Sequence, residues 1–227
     1  MRFAPHIVGT NFNTKSESFE KDGYLYLPNL VEDIDAYHEK CPQKPDGTGA
    51  RGIVKFHPKR PDKFVYGEVD GQAPNSFCRY FAPIYKTLHY QIRKRLEEVL
   101  DIDLLPTYYY DRFYYAGQDL MRHYDRSACE VSVTLQIDSN SNKPWPIGFE
   151  TPDFRETLIN MKDGDGVVYK GCEREHWRGP LESKYNKVQR TIRRLARKAD
   201  DTWHHQVFFH YVRANGPSVY CTNDYRM

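Results

Sequence analysis

Tyr114-Tyr115-Ala116-Gly117-Gln118-Asp119-Leu120-Met121-Arg122-His123-Tyr124-Asp125-Arg126 is the stretch on which the fold and the chemistry turn. It sets a histidine and an aspartate two positions apart, directly after a tyrosine-rich strand candidate. In an extended strand, residues i and i+2 project from the same face. At the end of a strand, or in the turn that follows, His123 and Asp125 therefore offer an imidazole and a carboxylate to one metal ion. Such a pair needs a third ligand from elsewhere in the chain, and the rest of the sequence is read for it.

The composition favours a β-rich domain. The chain has 227 residues, enough for a sizeable core without crosslinks. Hydrophobic residues make up 39%, and aromatics alone reach 15%, with 18 Tyr and 12 Phe. Side chains of that kind suit a pleated, half-buried surface better than long helices. The net charge of +2 gives no overall reason for a nucleic-acid or membrane partner. No window has the apolar length to span a bilayer, and the N-terminus lacks the apolar run of a signal peptide. Five scattered cysteines (Cys41, Cys78, Cys129, Cys172, Cys221) with no C-x-x-C spacing read as reduced thiols of a cytosolic protein.

Taken in order, residues 1–22 read as a polar arm with a short helix over Ser16–Lys21. Gly23 to Leu27 reads as a strand stopped by Pro28, and Val31–Lys40 as a helix with acids near its start. Residues 41–76, rich in Pro, Gly, Lys and Asp, read as a loop with one weak strand around Phe64–Tyr66, suited to cover a substrate. From Tyr80 to Leu100 the period changes. Phe81, Ile84, Tyr85, Leu88, Ile92, Leu96 and Leu100 recur at three- and four-residue spacing, which marks an amphipathic helix packed on a sheet. Short strand candidates then follow at Thr107–Tyr115, Glu130–Ile137, Trp145–Phe149, Thr157–Met161, Gly166–Tyr169 and Gln206–Val212. Their spacing predicts a sandwich or barrel. One segment breaks the series: 182–203 carries seven Lys or Arg against three acids and reads as a basic helical insertion. A solvated face is its plain reading, and a docking surface for an acidic segment or nucleic acid is the sharper one.

The candidates for the second histidine are His176, His204, His205 and His210. His176 follows the Gly164–Gly171 strand and its turns, and so lies at a rim where ligands from neighbouring strands converge. His210 sits in mid-strand among apolar residues, the place of a sheet histidine. His176 is preferred. A set of two His and one carboxylate with open positions is the facial triad suited to non-haem Fe(II). No nucleophile motif competes with it.

The pattern Tyr114-x-x-Gly117-x-x-Leu120-x-x-His123-x-Asp125, the strand Cys129-Glu130-x-Ser132-x-Thr134-Leu135, and Gly164-Asp165-x-x-x-Tyr169-x-Gly171 ahead of His176 resemble the 2-oxoglutarate- and Fe(II)-dependent dioxygenases. The likeness is to the prolyl 4-hydroxylase-like branch, including its small virus-encoded members. It covers about residues 80–181 and the strand 206–212 and takes 1–227 as one domain. The resemblance implies a mainly β fold with flanking helices (α+β) around a double-stranded β-helix, or jelly roll, with Fe(II) held by His123, Asp125 and His176. It also implies 2-oxoglutarate and O2 as cosubstrates, with ascorbate as a reductant. The expected reaction is hydroxylation of an unactivated C–H, in a prolyl or other peptide residue, with release of succinate and CO2.

An Arg is the natural receiver for the far carboxylate of 2-oxoglutarate, because its fork bonds both oxygens. The family keeps that cation on the last strand, where this chain has His204, His205 and Gln206. Arg178, two residues past His176, is the preferred replacement and Arg126 the second. Tyr115 resembles the family's cosubstrate tyrosine, with Tyr108 and Tyr110 as alternatives. The expected partners are the small cosubstrate and a protein or peptide. Nucleic acid is disfavoured, and no membrane is expected. For a virus-encoded member the site of action is the host cytoplasm. The alternative reading is a catalytically silent β-helix protein serving as a binding or viral structural module.

Overall fold

The computed structural model describes residues 12–67 and 71–224; the polar arm expected over residues 1–11 lies outside them. In chain order the described elements begin with α1 (Phe12–Asp22), β1 (Tyr24–Leu27), β2 (Gly52–His57), β3 (Arg60–Gly67), β4 (Phe77–Tyr80) and α2 (Lys86–Leu100). The barrel strands follow: β5 (Leu104–Tyr115), β6 (Leu120–His123), β7 (Val131–Ser139), β8 (Ile147–Glu150), β9 (Glu156–Ile159), β10 (Gly166–Tyr169) and β11 (His176–Arg178). After α3 (Lys187–Leu195), β12 (Trp203–Arg213) closes the set.

Two sheets face each other. The larger runs β1-β10-β7-β12-β5-β4-β2-β3 and the smaller β6-β11-β8-β9. Among the described residues every strand pairing is antiparallel except β2 with β4. This order is that of a double-stranded β-helix, so the β-rich jelly roll with flanking helices is the fold observed.

The long central strands explain the aromatic content. β5 is buried almost throughout because both of its faces are covered. Alternation sends Tyr108, Tyr110, Arg112 and Tyr114 to the barrel interior. Tyr109, Asp111, Phe113 and Tyr115 go to the outer layer. On that outer side α2 buries Leu88, Ile92, Leu96 and Leu100. His89 of α2 packs tilted against Tyr211, centroids 4.7 Å apart, and its ring nitrogen meets the His210 carbonyl at 3.2 Å.

The helical period of 80–100 is shorter than its spacing suggests. Phe77–Tyr80 pairs as β4 with β5, and Pro83 opens a 3-10 turn before α2 starts at Lys86. Phe81 packs on Tyr109 from that turn rather than from a helix. The helix expected over 31–40 is a single 3-10 turn, Ile34–Tyr37. The stretch 41–76, expected as a loop with one weak strand, holds the β2–β3 hairpin, paired from Ile53↔Gly67 to His57↔Arg60. β3 is exposed along its whole length, so it lacks the apolar alternation that announces a strand. In 182–203 only Lys187–Leu195 is helical.

Candidate metal centre

β11 lies between β6 and β8 in the small sheet. Its register places His176 directly opposite His123 on one side and Phe149 on the other. β6 ends at His123, so Asp125 sits in the turn beyond the strand rather than on it. That turn is fixed by the Asp125 amide, which donates to the Gly171 carbonyl at 2.9 Å. The three side chains converge. Asp125 Oδ1 lies 3.6 Å from His123 Nε2 and 3.7 Å from His176 Nε2. Separations of this size fit neighbouring ligands around one ion at bonds of about 2.0–2.2 Å.

The outer hydrogen bonds prepare the donor atoms. His123 Nδ1 meets the Met121 carbonyl at 2.7 Å and His176 Nδ1 the Arg174 carbonyl at 3.0 Å. In each ring Nδ1–H donates to the backbone, which leaves the Nε2 lone pair for a metal. Ser132 Oγ donates to Asp125 Oδ2 at 3.1 Å, so the carboxylate keeps Oδ1 toward the histidines. Burial alone would raise the Asp125 carboxyl. The nearness of His123 and the fields of His176 and His210 overcome it and bring it down to about 2. Burial lowers His176, whereas His123 is raised, burial being outweighed by its contact with Asp125. Gly171 makes room for the carboxylate: a Cβ there would stand 2.4 Å from Asp125 Oδ2. These donors fit a divalent ion with three protein ligands on one side.

The remaining sequence candidates divide by face. Arg178 is 1% exposed and points into the barrel. Its Nη1 donates to the Trp145 carbonyl at 2.5 Å and its guanidinium lies 4.7 Å from the Trp145 ring centre. Nε and Nη2 of this buried cation have no hydrogen-bond partner among the described residues. Burial, with no acid against it among the described residues, lowers Arg178 to about 10. Burial, then the Arg178 charge, keeps His204 neutral at the place where a cation was expected. Arg126 lines the cavity beside Asp125, pairs with Asp224 and lies over the Tyr108 ring at 4.7 Å. Tyr108 lines the same cavity, of about 530 Å³, together with Tyr110, Tyr124 and Cys129.

Tyr115 and His205 are not brought to the cluster. Tyr115 faces the outer layer, where its hydroxyl donates to the Pro42 carbonyl at 2.8 Å. His205 is buried on that same outer face, bonded to Asp111 at 2.8 Å and stacked on Phe113 at 3.7 Å. The tyrosine that faces inward is Tyr114, whose hydroxyl accepts from Arg112 at 3.1 Å and whose ring meets Trp145 at 4.8 Å. Strand parity was the available signal, since Tyr108 and Tyr115 of one regular strand cannot share a face.

His210, set aside as a sheet histidine, does bond within the sheet: its Nδ1 lies 2.8 Å from Ser132 Oγ. It also borders the candidate centre, because ligand atoms of Asp125, Cys129 and His210 all lie within 4.8 Å of one another. Sequence reasoning had no view of Cys129, Ser132 or Arg112 as neighbours of the site. No disulfide joins the five cysteines among the described residues.

No protein-family model matches the chain, and no curated protein matches it in sequence. Solved structures do match in fold. A prolyl-4-hydroxylase from Pseudomonas putida superposes with a TM-score of 0.53 at 13% identity, over 89% of this chain and 98% of the other. An oxidoreductase of the 2OG-Fe(II) oxygenase family from Burkholderia pseudomallei gives 0.57 at 10% identity, over 95% and 97%. HygX from Streptomyces hygroscopicus, solved with nickel and 2-oxoglutarate bound, gives 0.57 at 9% identity, over 89% and 87%. In fold, this chain is similar to 2-oxoglutarate- and Fe(II)-dependent oxygenases over nearly its whole length.

Proposed function

We propose that this chain is an Fe(II)- and 2-oxoglutarate-dependent oxygenase. His123, Asp125 and His176 hold the metal, and Arg178 receives the far carboxylate of 2-oxoglutarate. The observation that carries the reading is the convergence of Asp125 Oδ1 with both Nε2 atoms at 3.6 and 3.7 Å, in a fold shared with oxygenases of this kind. Iron with 2-oxoglutarate and O2 supplies the chemistry: decarboxylation to succinate and CO2, with the second oxygen atom entering an unactivated C–H.

The chain's own residues bind, orient and exclude water. The two Nδ1–H bonds fix the imidazole tautomers, and Ser132 fixes the carboxylate. Arg178 offers two unpaired donors in a dry interior, where a carboxylate partner is worth most. Tyr114, on β5 of the facing sheet, closes the barrel with Trp145.

The substrate half of the proposal is a prolyl or other peptide residue. The cavity that reaches Asp125 is open and also touches Ile53, Lys55 and Val65 of the β2–β3 hairpin, room enough for an extended segment. A P. putida neighbour is named for prolyl hydroxylation, and a Trichoplax adhaerens neighbour was solved with a peptide fragment of hypoxia-inducible factor. Ascorbate, as the reductant that keeps iron ferrous, belongs to the same reading.

The test is to titrate 2-oxoglutarate anaerobically into the Fe(II) protein. A metal-to-ligand charge-transfer band that His123→Ala abolishes supports the oxygenase. The second reading, a silent binding module, is favoured by neutral His204 where the last strand was expected to carry a cation. Iron binding without that band at any 2-oxoglutarate concentration would favour it instead.

A further inference from the structure

The insertion 182–203 leaves the barrel at the end opposite the metal. β11 starts at His176 and runs away from the centre through Arg178. The segment beyond it meets the β5–β6 turn, where the Leu181 amide donates to the Gln118 carbonyl at 2.7 Å and the Gly117 amide to the Leu181 carbonyl at 2.8 Å. α3 is therefore remote from the mouth beside Asp125, and its chemistry is separate from the oxygenase site.

α3 is ordered by its ends rather than by packing. Asn186 and Gln189 form a reciprocal capping box. At the other end Arg197 takes a left-handed φ of 52°. The Lys198 amide then reaches back to the Arg193 carbonyl at 2.8 Å and the Arg197 amide to the Arg194 carbonyl at 3.1 Å, a Schellman closure. None of its residues is buried. The helix is tied to the flanks of its own insertion through Arg193, which bonds the Ala199 carbonyl, pairs with Asp201 at 3.3 Å and lies 4.2 Å from the Tyr185 ring.

The amphipathic pattern is inverted. On a helix that packs, the apolar stripe faces the core. Here a charged residue faces the protein, and Val188, Ile192 and Leu195, spaced i, i+4 and i+7, stand 68%, 59% and 77% exposed. Residues 187–198 carry six Lys or Arg and no acid. Of these, Lys187, Arg190, Arg194, Arg197 and Lys198 have no ion-pair partner among the described residues. The near-neutral charge of the whole chain conceals this concentration.

We propose that α3 is a peripheral docking helix for an anionic lipid surface. A bilayer interface accepts both halves of the helix. The aliphatic stripe enters the acyl boundary while the long cationic side chains stay among the head groups. Charge complementarity selects this occupant. A nucleic-acid backbone would meet only the cationic side and leave the stripe in water. An acid-free rim also matches a uniformly negative plane better than the mixed rim of a protein interface.

The experiment is sedimentation of the purified full chain with phosphatidylcholine vesicles, with and without phosphatidylserine, and in parallel with a short RNA duplex. Binding is expected to serine-lipid vesicles alone and to weaken with added salt. Ile192→Asp should weaken it about tenfold or more. The pair Arg190→Gln with Arg194→Gln should weaken it about 30-fold. These positions are exposed, so an unchanged melting temperature and retained Fe(II) binding certify the variants as folded. Failure to bind anionic vesicles overturns the proposal. So does vesicle binding that Ile192→Asp leaves intact, which would mean charge alone. RNA binding stronger than vesicle binding and insensitive to Ile192→Asp would reassign the helix to nucleic acid.

Discussion

Arg178→Met separates the two things a buried arginine can do. Met has similar length and no charge, so it fills the interior while removing the guanidinium. Lowering from the ordinary 12.5 to about 10 means that the charged form is about 3 kcal/mol worse off in the barrel than in water. Removing the side chain relieves that penalty. It also gives up the bond to the Trp145 carbonyl and the stacking on its ring, which together are worth about 2–3 kcal/mol. The ligand-free variant should therefore melt within a few degrees of the parent, since about 1 kcal/mol corresponds to 2–4 °C at this chain length. The cosubstrate response should change far more. Truncating one partner of a buried charge pair costs about 2–5 kcal/mol, so the Kd for 2-oxoglutarate should rise about 100-fold. At a concentration of 100 times the parent Kd, ligand stabilises the parent by about 2.7 kcal/mol and the variant by only about 0.4 kcal/mol. Differential scanning calorimetry of the anaerobic Fe(II) protein, with and without 2-oxoglutarate, reads both quantities. A full ligand-induced rise in Arg178→Met would refute the anchor. A loss of more than about 5 kcal/mol in the ligand-free protein would show instead that the cation supports the fold.

Other expected outcomes follow from the same structure. Gly171→Ala sets a methyl 2.4 Å from Asp125 Oδ2, so Fe(II) affinity by anaerobic calorimetry should fall about 10–100-fold; unchanged affinity would mean that the turn yields freely. Asp111→Ala leaves the buried His205 without its carboxylate and the half-buried Arg79 with Glu39 as its remaining acid and should cost about 1–3 kcal/mol in urea unfolding while folded protein still binds Fe(II). Intact stability there would discount the network. Folded His89 is depressed to about 3 by burial, below its unfolded value near 6.5, so the unfolded chain takes up the proton first. Its contribution is complete above pH 6.5 and is lost as pH falls toward 3, by up to about 1.4 kcal/mol per pH unit. His89→Phe should flatten that part of the acid limb, and an identical pH profile would count against it.

How far the sequence speaks depends on whether a residue's role is local or collective. The His123–Asp125 spacing is local, and so is the period of Leu88, Ile92 and Leu96, which is why the candidate ligand pair and α2 were legible. The hairpin over 52–67 was not, because β3 is an exposed edge whose partner supplies the order its own residues do not announce. Tyr115 illustrates a third case. Its Tyr-x-Gly context pointed to the cosubstrate, yet β5 pairs in regular register from Trp203↔Tyr115 through Phe209↔Tyr109, and a strand without a break there must send Tyr114, not Tyr115, to the side of Tyr108 and Tyr110. The same parity resolves the missing cation. On β12, even-numbered His204, Gln206 and His210 face the interior, and His204 cannot carry a proton in a dry barrel beside Arg178. Two cations at that depth without a ligand would repel in a low dielectric. A charged residue on β11 and a neutral one on β12 are therefore one arrangement, and restoring the expected pattern with His204→Arg alone should destabilise the protein unless Arg178→Met accompanies it. Thermal melts of the two single variants and the double variant measure that coupling. Simple additivity would show that the two positions do not sense each other.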